Sequence, residues 1–133
     1  MPEHAKNKIL VVEDELMIAD LIRCAIKAEG IQAEAFERAD DGMAYLRAHA
    51  EDILLIITDV KTPGQADGIT LTRYARAHWP DIPVIISTAV ALPDDLVALH
   101  GVGVLRKPWN IEDLVDVVLK SALQPSIRDL GIG

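Results

Sequence analysis

The chain has 133 residues, enough for one domain with a substantial core. Half of its residues are hydrophobic and only 4% are aromatic, so the core must consist mainly of aliphatic side chains. The net charge of −8 argues against a general nucleic-acid-binding protein, which needs a basic surface, but is compatible with a cation site.

The sequence is typical of a cytoplasmic protein. The polar N-terminus lacks the hydrophobic region of a signal peptide, and no apolar run is long enough to span a membrane. The single cysteine, Cys24, cannot form an internal disulfide bond and fits a reducing compartment. We expect Cys24 to pack in the first helix.

Apolar runs and helical spacing alternate along the chain, which predicts five strand–helix pairs. In chain order the elements are a strand at residues 8–12, a helix at 16–29, a strand at 31–36, a helix at 40–49, a strand at 53–58, a helix at 69–79, a strand at 84–87, a short helix at 93–100, a strand at 102–106 and a helix at 111–123. Residues 1–7 are predicted as an N-terminal extension and residues 124–133 as a C-terminal tail.

Local signals refine the helices. In the first helix, Leu21 belongs to the apolar residues expected to face the core, and Gly30 ends the helix. Asp40 or Asp41 is expected to cap the second helix, since aspartate is a favoured N-cap residue.

Strands that alternate with helices through short loops predict an α/β fold with a doubly wound parallel sheet. Residues 31–36 are the most polar strand and therefore belong at an edge. The strand order 2-1-3-4-5, a flavodoxin-like arrangement, satisfies this condition. It also places the first and third strands side by side, at the point where such sheets open a crevice.

Polar residues with complementary chemistry follow four of the strands. The first strand leads to Glu13 and Asp14, the third ends at Asp59, the fourth delivers Thr88 and the fifth delivers Lys107. Three carboxylates in one crevice would repel each other unless a cation joined them, and Mg²⁺ prefers oxygen ligands. A carboxylate beside a hydroxyl, an ammonium group and Mg²⁺ suits attack of a carboxylate oxygen on a phosphoryl group.

These motifs make the chain similar to the receiver domain of two-component response regulators. The resemblance covers residues 8–123 and rests on VVEDE at residues 11–15, TDVKTPG at 58–64, PVIISTA at 83–89 and the Lys107-Pro108 step. It implies that Asp59 accepts a phosphoryl group from a histidine kinase or a histidine phosphotransfer protein. It also implies that Asp14, Asp59 and the carbonyl of Lys61 bind Mg²⁺, with Glu13 helping through water. Thr88 and Lys107 would contact the phosphoryl group.

By this resemblance the protein is a signalling phosphoacceptor of a phosphorelay and not an enzyme with a separate substrate. It would catalyse its own phosphotransfer and a slow self-dephosphorylation, and it would act through a downstream protein without contacting nucleic acid or membrane. The alternative is a receiver-like interaction module that works without phosphate. A flavin-binding protein is disfavoured because Glu13 and Asp14 would repel a phosphate. A phosphatase of the haloacid dehalogenase type needs a second aspartate where Lys61 stands.

Three features depart from the receiver pattern. The stretch from Asp59 to Gly68 is one residue longer than in the chemotaxis regulator, the fourth helix is short, and Val104 stands where many receivers have a mobile aromatic side chain. The loop and the Trp79-Pro80 pair resemble receivers associated with hybrid sensor kinases. Because Val104 has no ring and a stiff side chain, we expect phosphorylation to be read out through residues 89–100.

Overall fold

The computed structural model describes the backbone of residues 6–129 and the side chains of residues 6–122. Strands and helices alternate over this range as the sequence predicts. In chain order they are β1 Lys8–Val12, α1 Leu16–Ala28, β2 Gln32–Phe36, α2 Ala39–His49, β3 Ile53–Asp59, α3 Gly68–His78, β4 Val84–Thr88, α4 Asp94–Val97, β5 Val102–Arg106 and α5 Ile111–Asp129, with a 3₁₀ turn at Ala50–Asp52.

The five strands form one parallel sheet in the order β2-β1-β3-β4-β5, which confirms the predicted topology. The polar strand β2 lies at an edge, as expected. In the register of the sheet, Val12 pairs with Thr58, Asp59 with Ser87, and Thr88 with Arg106. The carboxyl ends of β1, β3, β4 and β5 therefore lie side by side at one edge, where the candidate site residues follow.

Two hydrophobic layers cover the sheet, one on each face. Ile56 of β3 belongs to the layer beneath α2, α3 and α4, whereas Leu55 and Ile57 belong to the layer beneath α1 and α5. Ile53 lies in the same layer as Ile56 because the strand register shifts between Ile53 and Leu55. Because successive side chains of a strand point to opposite faces, a strand covered on both sides is apolar throughout. This is why residues 53–57 form a continuous apolar run.

The prediction that Leu21 and Cys24 face the core is wrong. Leu21 is 44% exposed and Cys24 is also exposed. The buried stripe of α1 instead follows Ala19, Ile22, Ala25 and Ile26. Leu21 lies at the margin of that stripe, so helical spacing alone could not separate it from the core positions.

Some helix boundaries also differ from the prediction. The helical part of the fourth segment is shorter than expected, since α4 covers only Asp94–Val97. The last helix is longer than predicted and continues to Asp129, into the segment predicted as a C-terminal tail. Pro125 removes one backbone donor but does not end α5. In the described part of the chain, no helix combines the length and the apolar character needed to cross a membrane.

Candidate functional site

Three carboxylates meet at the carboxyl edge of the sheet. Glu13 and Asp14 directly follow β1, and Asp59 is the last residue of β3, so the pairing of β1 with β3 brings them together. One carboxylate oxygen from each lies within 4.8 Å of the others. Glu13 is buried, Asp59 is half-buried and Asp14 is exposed, so the cluster has one open side.

Lys107 supplies the positive charge of this cluster. Its Nζ donates to Asp59 Oδ2 at 3.1 Å and to Glu13 Oε1 at 3.3 Å. Its backbone N–H donates to the carbonyl of Thr88 at 2.9 Å, which fixes the end of β5 against β4. The Lys107-Pro108 peptide bond is cis. The ammonium group therefore lies between the carboxylates of two different strand ends.

The electrostatics of Glu13 and Lys107 are coupled. Burial raises the pKa of Glu13, and the nearby Asp59 raises it further, against the opposing effects of the Glu15 N–H and Lys107. Partial burial lowers the pKa of Lys107, but Asp59 and Glu13 outweigh this effect and the net pKa is raised. A carboxyl with a raised folded-state pKa destabilises the fold once pH exceeds its unfolded-state pKa. Ionisation of Glu13 therefore lowers the stability of the fold as the pH rises.

The backbone around Asp59 is held by a close approach of α3. Val60 N–H donates to Asp59 Oδ1 at 2.7 Å, and Gly68 N–H donates to the Val60 carbonyl at 2.7 Å. A Cβ atom at Gly68 would overlap the carbonyl oxygen of Asp59. Asp67 caps α3 by accepting from Thr70 N–H at 2.9 Å. The sequence predicts a helix from residue 69, directly after this Asp-Gly pair, but does not indicate that Gly68 must lack a side chain.

Neither the Thr88 hydroxyl nor the Lys61 side chain has a described hydrogen bond to the carboxylate cluster. The Thr88 side chain is buried, and its Oγ1 accepts from Val90 N–H at 3.0 Å and donates to the Val90 carbonyl at 3.4 Å. Lys61 lies in the loop between β3 and α3 with an exposed side chain. The hydroxyl of Thr88 is therefore engaged with its own loop in this state.

The prediction that Asp40 or Asp41 caps α2 is wrong. Arg38 occupies the N-cap position, and no side chain makes a capping hydrogen bond there. Asp40 lies in the first turn, and its carboxylate accepts two backbone N–H groups of the β3–α3 loop. Asp41 is exposed. The loop donors lie far away in sequence, so local capping rules could not identify them.

The carboxylate cluster fits Mg²⁺. Its donors are hard oxygen atoms from Glu13, Asp14 and Asp59, and they lie close enough together to bind one ion. The cluster is open to solvent on the side of Asp14, which is exposed. Mg²⁺ is bound in proteins through a small number of carboxylates and keeps several waters. The donor set matches these preferences.

Comparison with known proteins agrees with this geometry. The family model described as "Response regulator receiver domain" matches residues 9–119. The response regulator receiver protein CpdR of Brucella abortus is 33% identical over 117 residues, which cover 86% of this chain and 95% of that protein. The DNA-binding transcriptional regulator NtrC of Proteus hauseri is 32% identical over 116 residues, which cover 85% of this chain but only 24% of that regulator.

The fold shows the same relationship. A crystal structure of the receiver domain from the hybrid histidine kinase CckA superimposes with a TM-score of 0.73 at 28% identity, covering 86% of this chain and 98% of that one. This chain thus spans about a quarter of the NtrC relative and nearly all of CpdR and of the CckA domain. The five-stranded topology, the carboxylate cluster at its carboxyl edge and the family match agree, and the chain belongs to the response regulator receiver domain family.

Proposed function

We propose that this chain is the phosphoacceptor of a two-component phosphorelay and that Asp59 accepts the phosphoryl group. The observation that carries the proposal is the position of Lys107 Nζ, 3.1 Å from Asp59 Oδ2, beside the clustered oxygens of Glu13, Asp14 and Asp59. A nucleophilic carboxylate, an adjacent ammonium group and a divalent-cation site are the components that phosphoryl transfer requires.

In the proposed reaction, an Asp59 carboxylate oxygen forms a bond to phosphorus. The phosphorus–nitrogen bond of a phosphohistidine breaks, and the imidazole nitrogen keeps the electron pair. Negative charge then spreads over the three equatorial phosphoryl oxygens. Lys107 lies close enough to Asp59 to donate to one of them, and a rotated Thr88 hydroxyl would donate to another.

Asp14, Asp59 and the Lys61 carbonyl would hold Mg²⁺, with Glu13 contributing through water. The ion would neutralise phosphoryl charge when bound. The same residues would support slow self-dephosphorylation, in which water attacks phosphorus and the Asp59 carboxylate leaves.

The test is incubation of the protein with acetyl phosphate and Mg²⁺, followed by intact-protein mass spectrometry. A gain of one phosphoryl group per chain supports the proposal. A folded protein that gains no mass at any Mg²⁺ concentration overturns it and favours the phosphorylation-independent module.

An apolar surface lies beside the carboxylate cluster and supports the proposal that the phosphodonor is a protein. A groove of about 300 Å³ is lined by Ile18, Leu21, Ala89, Lys107, Pro108 and Trp109. It adjoins the carboxylate cluster, because Lys107 belongs to both. Met17, at the start of α1, is 86% exposed. Exposed apolar side chains grouped near a reactive residue are typical of an interaction site. We propose that a histidine kinase or histidine phosphotransfer protein docks there in the cytoplasm.

Mg²⁺ is expected to raise the melting temperature of the protein. Binding to the folded state alone stabilises by mass action, and an ion at about ten times its Kd contributes roughly 1.4 kcal/mol. For a domain of this size that corresponds to a shift of roughly 5 °C. The measurement is a thermal melt with increasing MgCl₂ at constant ionic strength.

Two variants test whether the carboxylate cluster binds the Mg²⁺ that raises the melting temperature. Asp14→Asn should remove most of the shift because it deletes a proposed ligand. Asp20→Asn should retain it, since Asp20 is exposed on α1 and paired with Arg23. Equal shifts in both variants would place the ion elsewhere.

Phosphorylation is expected to change the segment of residues 89–100. Thr88 Oγ1 now bonds the backbone of Val90, and Arg106 Nη1 donates to the same Val90 carbonyl at 3.0 Å. Turning the hydroxyl toward a phosphoryl group removes the Thr88 bonds to Val90. Hydrogen exchange with beryllofluoride and Mg²⁺, a phosphoryl mimic, should therefore show its largest changes in residues 89–100.

Paired variants test the coupling through Thr88. Thr88→Val removes the hydroxyl and should suppress the exchange change, whereas Thr88→Ser keeps the hydroxyl and should retain it. Val104 lies half-buried in β5 and cannot supply a rotating ring. Identical exchange of residues 89–100 in both states, with changes around Val104 and α5 instead, would refute this readout.

A further inference from the structure

The loop that joins β3 to α3 carries Lys61 only two residues after Asp59. It contains Pro63 and Gly64, and Gly64 has a φ of 110°, a conformation that favours glycine. Proline restricts its own backbone angle, but glycine adopts many conformations when nothing holds it. The position of the Lys61 carbonyl therefore depends on what fixes the loop.

Asp40 fixes the far side of this loop. Its Oδ1 accepts from Ala66 N–H at 2.9 Å, and its Oδ2 accepts from Gln65 N–H at 2.9 Å. The two N–H groups lower the pKa of Asp40, and Arg38 adds to this effect, so the carboxylate is ionised at neutral pH. Hydrogen bonds to an ionised acceptor are stronger than those between neutral groups.

Two further contacts bring the loop against the start of α2. The Ala39 N–H donates to Thr62 Oγ1 at 3.3 Å, next to Lys61 in sequence. Gly64 passes so close that a Cβ atom there would lie 2.5 Å from Asp40 Oδ2 and 2.7 Å from Arg38 Nη2. The loop is thus attached to α2 on both sides of Pro63. On the side of α3 it is closed by the hydrogen bond from Gly68 to Val60.

We propose that Asp40 is a positioning residue for phosphorylation, because its carboxylate holds in place the β3–α3 loop, whose Lys61 carbonyl is a proposed Mg²⁺ ligand. The inference rests on the proposed function and adds a residue of α2 that lies outside the carboxylate cluster. Asp40 acts through the loop and does not contact the reacting atoms.

The expected consequence is a change in the Mg²⁺ requirement. When the loop is held in advance, the ion does not have to order it, so binding costs less conformational entropy. Without Asp40 the ion must order the loop itself. A coupling of this kind typically changes affinity on the order of tenfold.

Three variants separate this role from a general effect of charge. Asp40→Ala removes both acceptors, and Asp40→Asn keeps one side-chain oxygen. Asp41→Ala removes an equal charge from the same helical turn but deletes none of the described loop contacts, since Asp41 is exposed. All three retain a short side chain in the first turn of α2.

The experiment measures initial phosphorylation rates with acetyl phosphate as a function of Mg²⁺ concentration. Asp40→Ala should raise the half-saturating Mg²⁺ concentration on the order of tenfold, and Asp40→Asn should raise it less. The rate at saturating Mg²⁺ should stay near that of the wild type. Asp41→Ala should match the wild type. Hydrogen exchange of the Gln65 and Ala66 amides in metal-free protein should accelerate only in the Asp40 variants.

The outcomes distinguish this inference from the function on which it rests. A wild-type protein that is phosphorylated while Asp40→Ala and Asp41→Ala behave alike would overturn the role of Asp40 alone. A rate that stays reduced at saturating Mg²⁺, together with a lower unfolding midpoint, would also overturn it, because that pattern indicates only a loss of stability. A wild-type protein that takes up no phosphoryl group would overturn both.

Discussion

Asp59→Asn is expected to reduce phosphoryl incorporation from acetyl phosphate and Mg²⁺ to background. A neutral amide is a far poorer nucleophile than a carboxylate, so the bond to phosphorus cannot form at a useful rate. The amide also loses one of the two oxygens that now accept from Val60 N–H and Lys107 Nζ. Intact-protein mass spectrometry and peptide mapping of the wild type measure the loss and the site.

A matched aspartate controls for the loss of charge. Asp81 is exposed and precedes β4, so it lies near the amino ends of the strands, whereas Asp59 lies at their carboxyl ends. Asp81→Asn should be labelled like the wild type. Full labelling of Asp59→Asn, or loss of labelling in both variants, would reject Asp59 as the phosphoacceptor.

Gly68→Ala is expected to cause the largest loss of stability among single methyl additions near the site. The added Cβ would overlap the Asp59 carbonyl oxygen, which is backbone and cannot rotate away. Gly68 is also held on both sides, since its N–H donates to Val60 and its carbonyl accepts from Thr72 Oγ1 at 2.8 Å. Overpacking of this kind costs about 3 kcal/mol. Urea unfolding measures the cost, and phosphorylation should slow because Asp59 is displaced.

Gly103→Ala is the control for this substitution. The nearest atom to a Cβ at Gly103 is Ile85 Cγ1 at 3.9 Å, an ordinary contact distance. Its free energy of unfolding should therefore change by less than about 1 kcal/mol. Equal destabilisation by both substitutions would show that the approach of α3 to Asp59 is not the cause.

The amino-acid sequence by itself determined the fold of this protein and the identity of its polar cluster. Parallel strands covered on both faces must be apolar throughout, so β3 is visible as a continuous run. The polar strand β2 was expected at an edge, a condition that the predicted order 2-1-3-4-5 satisfies, and the structure has this order. Polar residues that follow such strands share one edge of the sheet, and the structure brings Glu13, Asp14, Asp59 and Lys107 together there. Their roles in metal binding and phosphorylation stay predictions.

Contacts between residues distant in sequence were decided only by the tertiary structure. Asp40 has the local signature of a cap, yet its partners are N–H groups 25 and 26 residues away. Gly68 has no unusual φ to mark it, and its constraint comes from the carbonyl of another element. Leu21 fits helical spacing, but it lies beside the face of α1 that packs on the sheet and is therefore exposed. A local sequence pattern indicates which side chains can be buried or form hydrogen bonds. Which residue each of them contacts depends on how the whole chain packs.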